Sequence, residues 1–316
     1  MAQNKQLVGI DVAKAKVDAC IRALSQRRTF AATAEGQAEL IAWLRTHRVG
    51  MAVMEASGGY ERAWATALRV AGIAARIVDP KRVRHFAKSA GCLAKNDPID
   101  AEIIAWFAET FPEAPAQAHD PEREELQAMV VARQGLVDML KRMDARSDAP
   151  AAVRQAYATL AKTAARALAR LEAAIAATVK TTPRFTEIAA IIESVPGLAT
   201  HSAAACIARF PELGQVSNKV SAALVGSAPY ADDSGEHSGA RHIKGGRRDL
   251  RSMLYMAVVG AATRHNPVLK AFYLRLRARG KAPKVALIAC MRKLIVILNT
   301  MLARREKWHP AKHALA

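Results

Sequence analysis

Short apolar runs alternate with amphipathic stretches over the first eighty residues. Leu7-Val8-Gly9-Ile10 lies within Gln6 to Ala13, Val17 to Ile21 follows after Lys14, and a weaker run lies near Arg28 to Ala31. This spacing predicts a three-stranded meander. Thr33 is placed to cap a helix with Leu40, Ile41, Trp43 and Leu44 on its apolar face, and Met51 to Met54 predicts a fourth strand ending at Glu55. Gly58-Gly59 turns the chain, Tyr60, Trp64 and Leu68 recur at helical spacing until Gly72, and Ile73 to Val78 reads as a fifth strand closed by Asp79-Pro80. Strands separated by helices predict an α/β sheet.

The pattern changes after a Pro- and Ala-rich link from Phe111 to Pro121. Leu126, Met129, Leu136, Leu140 and Met143 keep a three-four rhythm interrupted by Arg133, and Val153, Tyr157, Leu160, Leu168, Leu171 and Ile175 resume it after a break at Ser147 to Pro150. An antiparallel helical hairpin fits, serving either self-association or as a spacer. From Thr182 onward the pattern is again mostly helical. The expected organisation is an α/β domain over 1–111, a helical hairpin over 112–181 and a mostly helical domain over 182–316.

Composition sharpens this picture in one respect. The 316 residues are 51% hydrophobic, enough for folded domains with real cores, and carry 47 Lys/Arg against 28 Asp/Glu, a formal charge of +19. Residues 238–316 hold 18 of those cations and only two acids, Asp249 and Glu306, so the basic footprint is local and calls for a polyanion. Cys20, Cys92, Cys206 and Cys290 are far apart, without zinc-site spacing, and read as reduced core residues of a cytosolic protein. No apolar stretch is expected to reach the ~18 residues of a membrane span, because Arg292-Lys293 cuts the run from Ala286 to Met291. Met1 to Lys5 leads into a strand rather than a secretion signal, so the expected location is the cytoplasm.

Four acids stand at positions suited to chemistry. Asp11 projects from the first strand beside small residues, Glu55 ends another where Gly58-Gly59 lets the chain turn away, and Asp97 and Asp100 lie three apart at the start of a helical run from Ile99 to Phe107. Converging carboxylates repel unless cations intervene, and hard oxygen donors suit Mg²⁺ or Mn²⁺. Taken singly, Asp97 reads as a helix N-cap, Asp100 as its capping-box partner and Glu55 as an ordinary strand-end acid. Their order, strand Asp, strand Glu, then a helix with two Asp, is the layout of ribonuclease-H-like folds, in which paired metals clamp a phosphodiester.

A second constellation runs from Pro229-Tyr230-Ala231-Asp232-Asp233-Ser234-Gly235 to Arg241-His242-Ile243-Lys244-Gly245-Gly246-Arg247-Arg248. A serine among cations is suited to attack a phosphodiester, although Ser-Gly is also a common turn, and the repeat at Ser238-Gly239 leaves the choice between Ser234 and Ser238 open. Lys95, Arg241, Lys244, Arg247, Arg248 and Arg251 are candidate nucleic-acid contacts. Val195-Pro196-Gly197-Leu198-Ala199 resembles the turn of a helix-hairpin-helix, whose amides face a phosphate; a plain helix turn fits equally well.

Gly9-Ile10-Asp11-Val12-Ala13, Met54-Glu55-Ala56-Ser57-Gly58-Gly59-Tyr60, Ala94-Lys95-Asn96-Asp97-Pro98-Ile99-Asp100-Ala101, and the segment from Ala228 through Ser234-Gly235 to Gly245-Gly246-Arg247 are similar, in order, to the DEDD transposases of bacterial insertion sequences. That family is related to the pilin-gene-inverting recombinase, and the similarity runs from about Gln6 to Arg305. The resemblance implies a RuvC-like (ribonuclease-H-like) amino-terminal domain, a helical coiled coil and a helical transposase domain. It implies catalytic and metal-binding roles for Asp11, Glu55, Asp97 and Asp100, with Mg²⁺ as cofactor, and makes Ser234 the nucleophile of a 5′-phosphoserine intermediate. It also implies donor and target DNA as substrates, a structured bridge RNA as guide, and a homodimer that assembles to a tetramer on DNA, where one protomer's metal site faces another's serine. The location implied is cytoplasmic and nucleoid-associated. Two other readings remain: a junction nuclease in which water attacks, and a non-catalytic nucleic-acid-binding protein.

Overall fold

A computed structural model describes residues 6–92, 97–112, 120–144, 149–231, 233–234, 237–238 and 241–314; of 97–99, 233–234, 237–238 and 313–314 it describes the backbone only. The chain forms two compact units, Met1–Asp120 and Pro121–Ala316.

The first unit is built on five strands, β1 (Gln6–Val12), β2 (Lys16–Ile21), β3 (Gln26–Ala31), β4 (Val49–Glu55) and β5 (Ala74–Val78), in the order β3-β2-β1-β4-β5. The expected meander is present: β1, β2 and β3 pair antiparallel, and β4 and β5 then add parallel to β1. Two helices, α1 (Ala34–Thr46) and α2 (Tyr60–Val70), cover one face, packing Leu40, Leu44, Trp64 and Leu68 on Val8, Ile10 and Val12. Thr33 caps α1 as expected, its side chain accepting from the Gly36 amide at 3.2 Å. The other face receives α3 (Pro80–Ser89) and α4 (Asp97–Thr110), with Val83, Ala87, Ile103, Ile104 and Phe107 against Val53 and Val78. Asp79-Pro80, which reads as the close of a strand, also opens α3: the Asp79 carboxylate accepts from the Lys81 amide at 2.9 Å, and Pro80 loses no hydrogen bond in the first turn.

One close approach sets where α4 lies. A Cβ at Gly9 would stand 2.1 Å from the Ala101 carbonyl oxygen and 2.4 Å from the Ala105 nitrogen, so β1 and α4 meet backbone to backbone. Arg22 reaches Glu109 at 2.6 Å, holding the last turn of α4 beside the end of the sheet where β2 finishes, and Arg27 pairs with Glu102 nearer the middle of the helix.

In the second unit, α5 (Pro121–Asp144) and α6 (Ala151–Thr181) pack antiparallel. Arg133 interrupts the apolar rhythm because it pairs across that seam with Glu172, at 2.7 Å. The pair is followed by α7 (Pro183–Glu193), α8 (Thr200–Arg209) and α9 (Asn218–Val225). A small ribbon comes next, β6 (Pro229–Tyr230), β7 (Asp233–Ser234), β8 (His237–Ser238) and β9 (His242–Ile243), in which β6 pairs with β9 and β7 with β8. Then come α10 (Arg248–Gly260), a π-helical turn over Ala261–His265, α11 (Pro267–Ala278), α12 (Pro283–Arg304) and α13 (Pro310–Ala314).

The sequence reading of α12 needs correction. Among the described residues this one helix has the length and apolarity of a membrane span. Arg292 and Lys293 do not cut it, because Arg292 is exposed and Lys293 lies 5.1 Å over the Phe272 ring, while Leu294, Ile295, Ile297 and Leu298 are buried. The helix is the axis of the second unit's core. Cys206 and Cys290 are buried there as free thiols, pushed up by desolvation to about 12 and about 11.

The Gly9 contact yields a test of the first unit. Gly9→Ala forces α4 off the sheet, and urea unfolding should show a loss of about 3 kcal/mol, at the upper end of ordinary overpacking costs; an unchanged midpoint would show that the two backbones do not meet.

Candidate metal and nucleic-acid site

Strand register places the acids. Ile10 pairs with Met54 across β1 and β4, so one residue further along both strands stand Asp11 and Glu55, side by side at the strand ends. Alternation puts both on the face of Gly9 and Val53, which is the face covered by α4. Glu109 anchors the last turn of α4 near the opposite end through Arg22, and Gly9 meets Ala101 and Ala105 further back along the helix. The helix therefore brings its first turn, with Asp100 and the backbone of Asp97, toward the Asp11 end.

Asp11 and Glu55 thus share a face and an end of the sheet, yet among the described side chains, which exclude Asp97, no three of His, Cys, Asp or Glu stand close enough to hold a metal ion. In donor type the set fits a hard divalent cation: every candidate ligand is a carboxylate, with no thiolate or imidazole among them. Lys95 lies outside the described residues.

Two further acids belong to this neighbourhood and escape a reading of spacing alone. Asp18 is the cross-strand partner of Asp11 and so shares its face; it is buried, hydrogen-bonded by the Thr29 hydroxyl and paired with Lys16 at 3.1 Å. Glu61, 5% exposed, turns back on the bend that follows Glu55. Its Oε2 accepts from the Ser57 amide at 3.0 Å, the Ser57 hydroxyl at 3.2 Å and the Gly59 amide at 2.8 Å. Gly58 and Gly59 take φ of +72° and +108° there, conformations a side chain would resist. The local signal was Glu six residues after Glu55, two beyond a Gly-Gly pair, which looks like an ordinary first-turn acid. Burial acts to raise the Glu61 carboxyl, but the hydrogen bonds from Glu61's own backbone, Ser57 and Gly59 outweigh it and hold the group below the ordinary carboxylate value.

In the second unit Ser234 pairs with His237 and Ser238 with Asp233 across the β7–β8 ribbon; their side chains lie outside the described set. The Gly245-Gly246-Arg247 segment that follows is packed backbone to backbone: a Cβ at Gly246 would stand 2.2 Å from the Gly226 nitrogen, and the Arg247 amide donates to the Leu224 carbonyl at 2.8 Å. Among the candidate cations, Arg247 is tied inward, donating to Glu212 at 2.5 and 2.8 Å and to the Arg209 carbonyl at 2.8 Å. Desolvation works against the Glu212 anion, but those Arg247 hydrogen bonds and charge keep its carboxyl below the usual value. Arg251 holds the Gly245 carbonyl at 2.8 Å and that of Gly226 at 3.2 Å. Arg241, Lys244 and Arg248 are exposed. At the Pro196-Gly197 turn, Gly197 has φ +94°, and a Cβ there would stand 2.8 Å from Ala261, so the turn itself is packed against the π-helical segment.

Comparison with known proteins decides the identity. A model of IS110-type DEDD elements, described as a transposase, matches residues 8–157, and a second, the "Transposase IS116/IS110/IS902 family", matches residues 189–274; together they span well over half the chain. The chain belongs to this transposase family. Over 320 aligned positions it is also 25% identical to the pilin gene-inverting proteins of Moraxella bovis and Moraxella lacunata, covering 98% of this chain and 99% of each relative. The transposase is therefore a DNA-rearranging enzyme with DNA as substrate, and its family points to divalent-metal dependence.

The Glu61 bend gives the transposase a pH signature. Glu61→Ala leaves buried donors unmatched and should cost about 2 kcal/mol in chemical denaturation at neutral pH. Because the folded carboxyl is depressed, this contribution is complete above the ordinary Glu range and disappears as pH falls through the folded value. The gap between wild type and variant should therefore close below about pH 4. A gap that persists unchanged into that range would remove the carboxylate from the account.

Proposed function

We propose that this transposase is a ribonuclease-H-like recombinase that cuts and rejoins DNA through a phosphoserine ester. The observation that carries the proposal is the adjacent register of Asp11 and Glu55 on the face covered by α4, at the end approached by Asp100. The sheet order, with three antiparallel strands followed by two parallel ones, supports the fold assignment. Asp11, Glu55, Asp97 and Asp100 would hold Mg²⁺ or Mn²⁺. A cation held there supplies positive charge to a non-bridging phosphate oxygen.

The chain's own groups do the rest. The Ser234 hydroxyl attacks phosphorus, the Oγ–P bond forms, the P–O3′ bond breaks, and the serine proton leaves Oγ while the departing strand ends as a 3′-hydroxyl. Attack by another 3′-hydroxyl reverses the step and releases Ser234, so joining needs no outside energy source. The acids and Ser234 lie in different units, in keeping with a composite site in which one protomer's acids meet another's serine.

Exposed Met139, Val153 and Leu160 on α5 and α6 support a coiled-coil role for that pair in dimer and tetramer assembly. The cationic residues 238–316 suit a protein that holds a bridge RNA together with donor and target DNA in the bacterial cytoplasm, associated with the nucleoid when acting.

Ser234→Ala tests the reading. On a DNA substrate nicked to trap the intermediate, wild type should give an SDS-resistant protein–DNA adduct, and the variant should lose both adduct and strand cleavage by roughly 10⁴-fold or more. Cleavage that persists without adduct would replace serine with water as the nucleophile.

A further inference from the structure

Within the second unit, a cavity of about 710 Å³ opens between α5, α8 and α10. Its size falls in the range of small-molecule and nucleotide pockets. Val137, Ala205 and Met253 contribute an apolar lining, and Met256, itself 65% exposed, extends it. A long apolar side chain so open to water in the free protein is a surface that a flat partner can cover.

The polar part of the lining is cationic. Arg133, Lys141, Arg209 and Arg248 face it, against Asp138 and Asp249. Most of that charge is internally paired: Asp138 accepts from Gln134 at 2.9 Å and lies 3.9 Å from Lys141, Asp249 pairs with Arg209, and Arg133 is held by Glu172 at 2.7 Å, which leaves Arg248 as the uncompensated cation of the described lining. Arg248 has no ion pair among the described residues. His201 and Ser202 bring the first turn of α8 to the cavity, and the N-cap of that helix is Ala199, which has no side-chain oxygen to offer the first-turn amides. Burial and the Arg133 charge lower the His201 pKa, with Glu172 opposing them, so the ring favours its neutral, hydrogen-bonding form at neutral pH.

We infer that this cavity holds an unpaired nucleotide of a single-stranded nucleic acid, its base on Met253 and Met256 and its phosphates beside Arg248 and Lys141. Three helices line the space, which stays open to solvent at Met256, and the face of a base that could pack on this lining is covered by its neighbours in a duplex, so the contact needs an unstacked base. Of the two phosphate contacts, Arg248 belongs to the cationic stretch of residues 238–316 that gives the chain its local charge excess, and Lys141 comes to it from α5. The site extends the proposed recombinase, since DNA rearrangement passes through unpaired strands. It requires neither metal nor Ser234.

The test is binding without metal and without cleavage, so it stands whether or not the phosphoserine reading does. Fluorescence anisotropy compares labelled oligothymidylate, labelled oligouridylate and a labelled DNA duplex on the full chain and on Met256→Glu. Val285→Glu, also more than half exposed but on α12 and outside the cavity, controls for the added charge. Both positions are on the surface, and thermal melts monitored by circular dichroism check that the variants fold. Met256→Glu should weaken single-strand binding about tenfold, the upper end of what a methionine sulfur packed against an aromatic ring contributes, and duplex binding no more than Val285→Glu does. Loss on the thymidylate arm assigns the pocket to DNA, loss on the uridylate arm to RNA, and loss on both to either; each supports the site. Arg248→Ala should lower the salt slope for single strands by roughly 0.7. Equal weakening by Met256→Glu and Val285→Glu, or equal loss for duplex and single strand, would overturn the inference.

Discussion

The contact between Gly9 and the backbone of Ala101 and Ala105 is the constraint on which the first unit depends. A helix normally rides on a sheet at the distance its side chains impose, and here glycine on one side and alanines on the other remove that spacer. The helix comes down onto β1 and its first turn comes down with it. Asp100 is consequently carried toward the strand end that bears Asp11. The pairs Arg22–Glu109 and Arg27–Glu102 are partly exposed and contribute little energy, but they fix which way the helix points.

The same economy of spacing recurs in the second unit. Gly226 and Gly246 let the end of α9 meet the strand-to-helix connection, and Arg247 and Arg251 then fasten that connection by donating to backbone carbonyls and to Glu212. The Gly245-Gly246-Arg247 stretch is therefore a closely packed junction between the ribbon and α10. Packing there has a functional consequence, because the ribbon that carries Ser234 leaves from α9 and returns to α10. Under the proposed mechanism, a Ser234 nucleophile gains from a base that does not yield.

Much of the first unit was legible from periodicity. The five strands, the Thr33 cap and the Gly72 stop follow from alternation, capping chemistry and glycine's tolerance of positive φ. Other features were hidden for identifiable reasons. Asp79-Pro80 ends a strand and starts a helix with the same two residues, so a stop signal masked α3. Arg292-Lys293 broke an apolar run in one dimension but sits at the surface in three, which concealed the central helix of the second core. Register is invisible to a linear reading, and so the pairing of Asp18 with Asp11 and the reach of Glu61 back to Ser57 and Gly59 could not be seen in it. The motifs named the acids by resemblance; the strand pairing adds the reason why two of them stand together.

The central claim is that Asp11 and its neighbours on the face covered by α4 hold a divalent cation. Calorimetric titration of the full protein with Mn²⁺ addresses it directly, because it reads binding without turnover. Wild type should take up the ion, and Asp11→Asn, which keeps the side chain's shape and removes its charge, should lose that uptake while melting at or above the wild-type temperature. Uptake that is unchanged in Asp11→Asn, or absent from both proteins, would contradict the account.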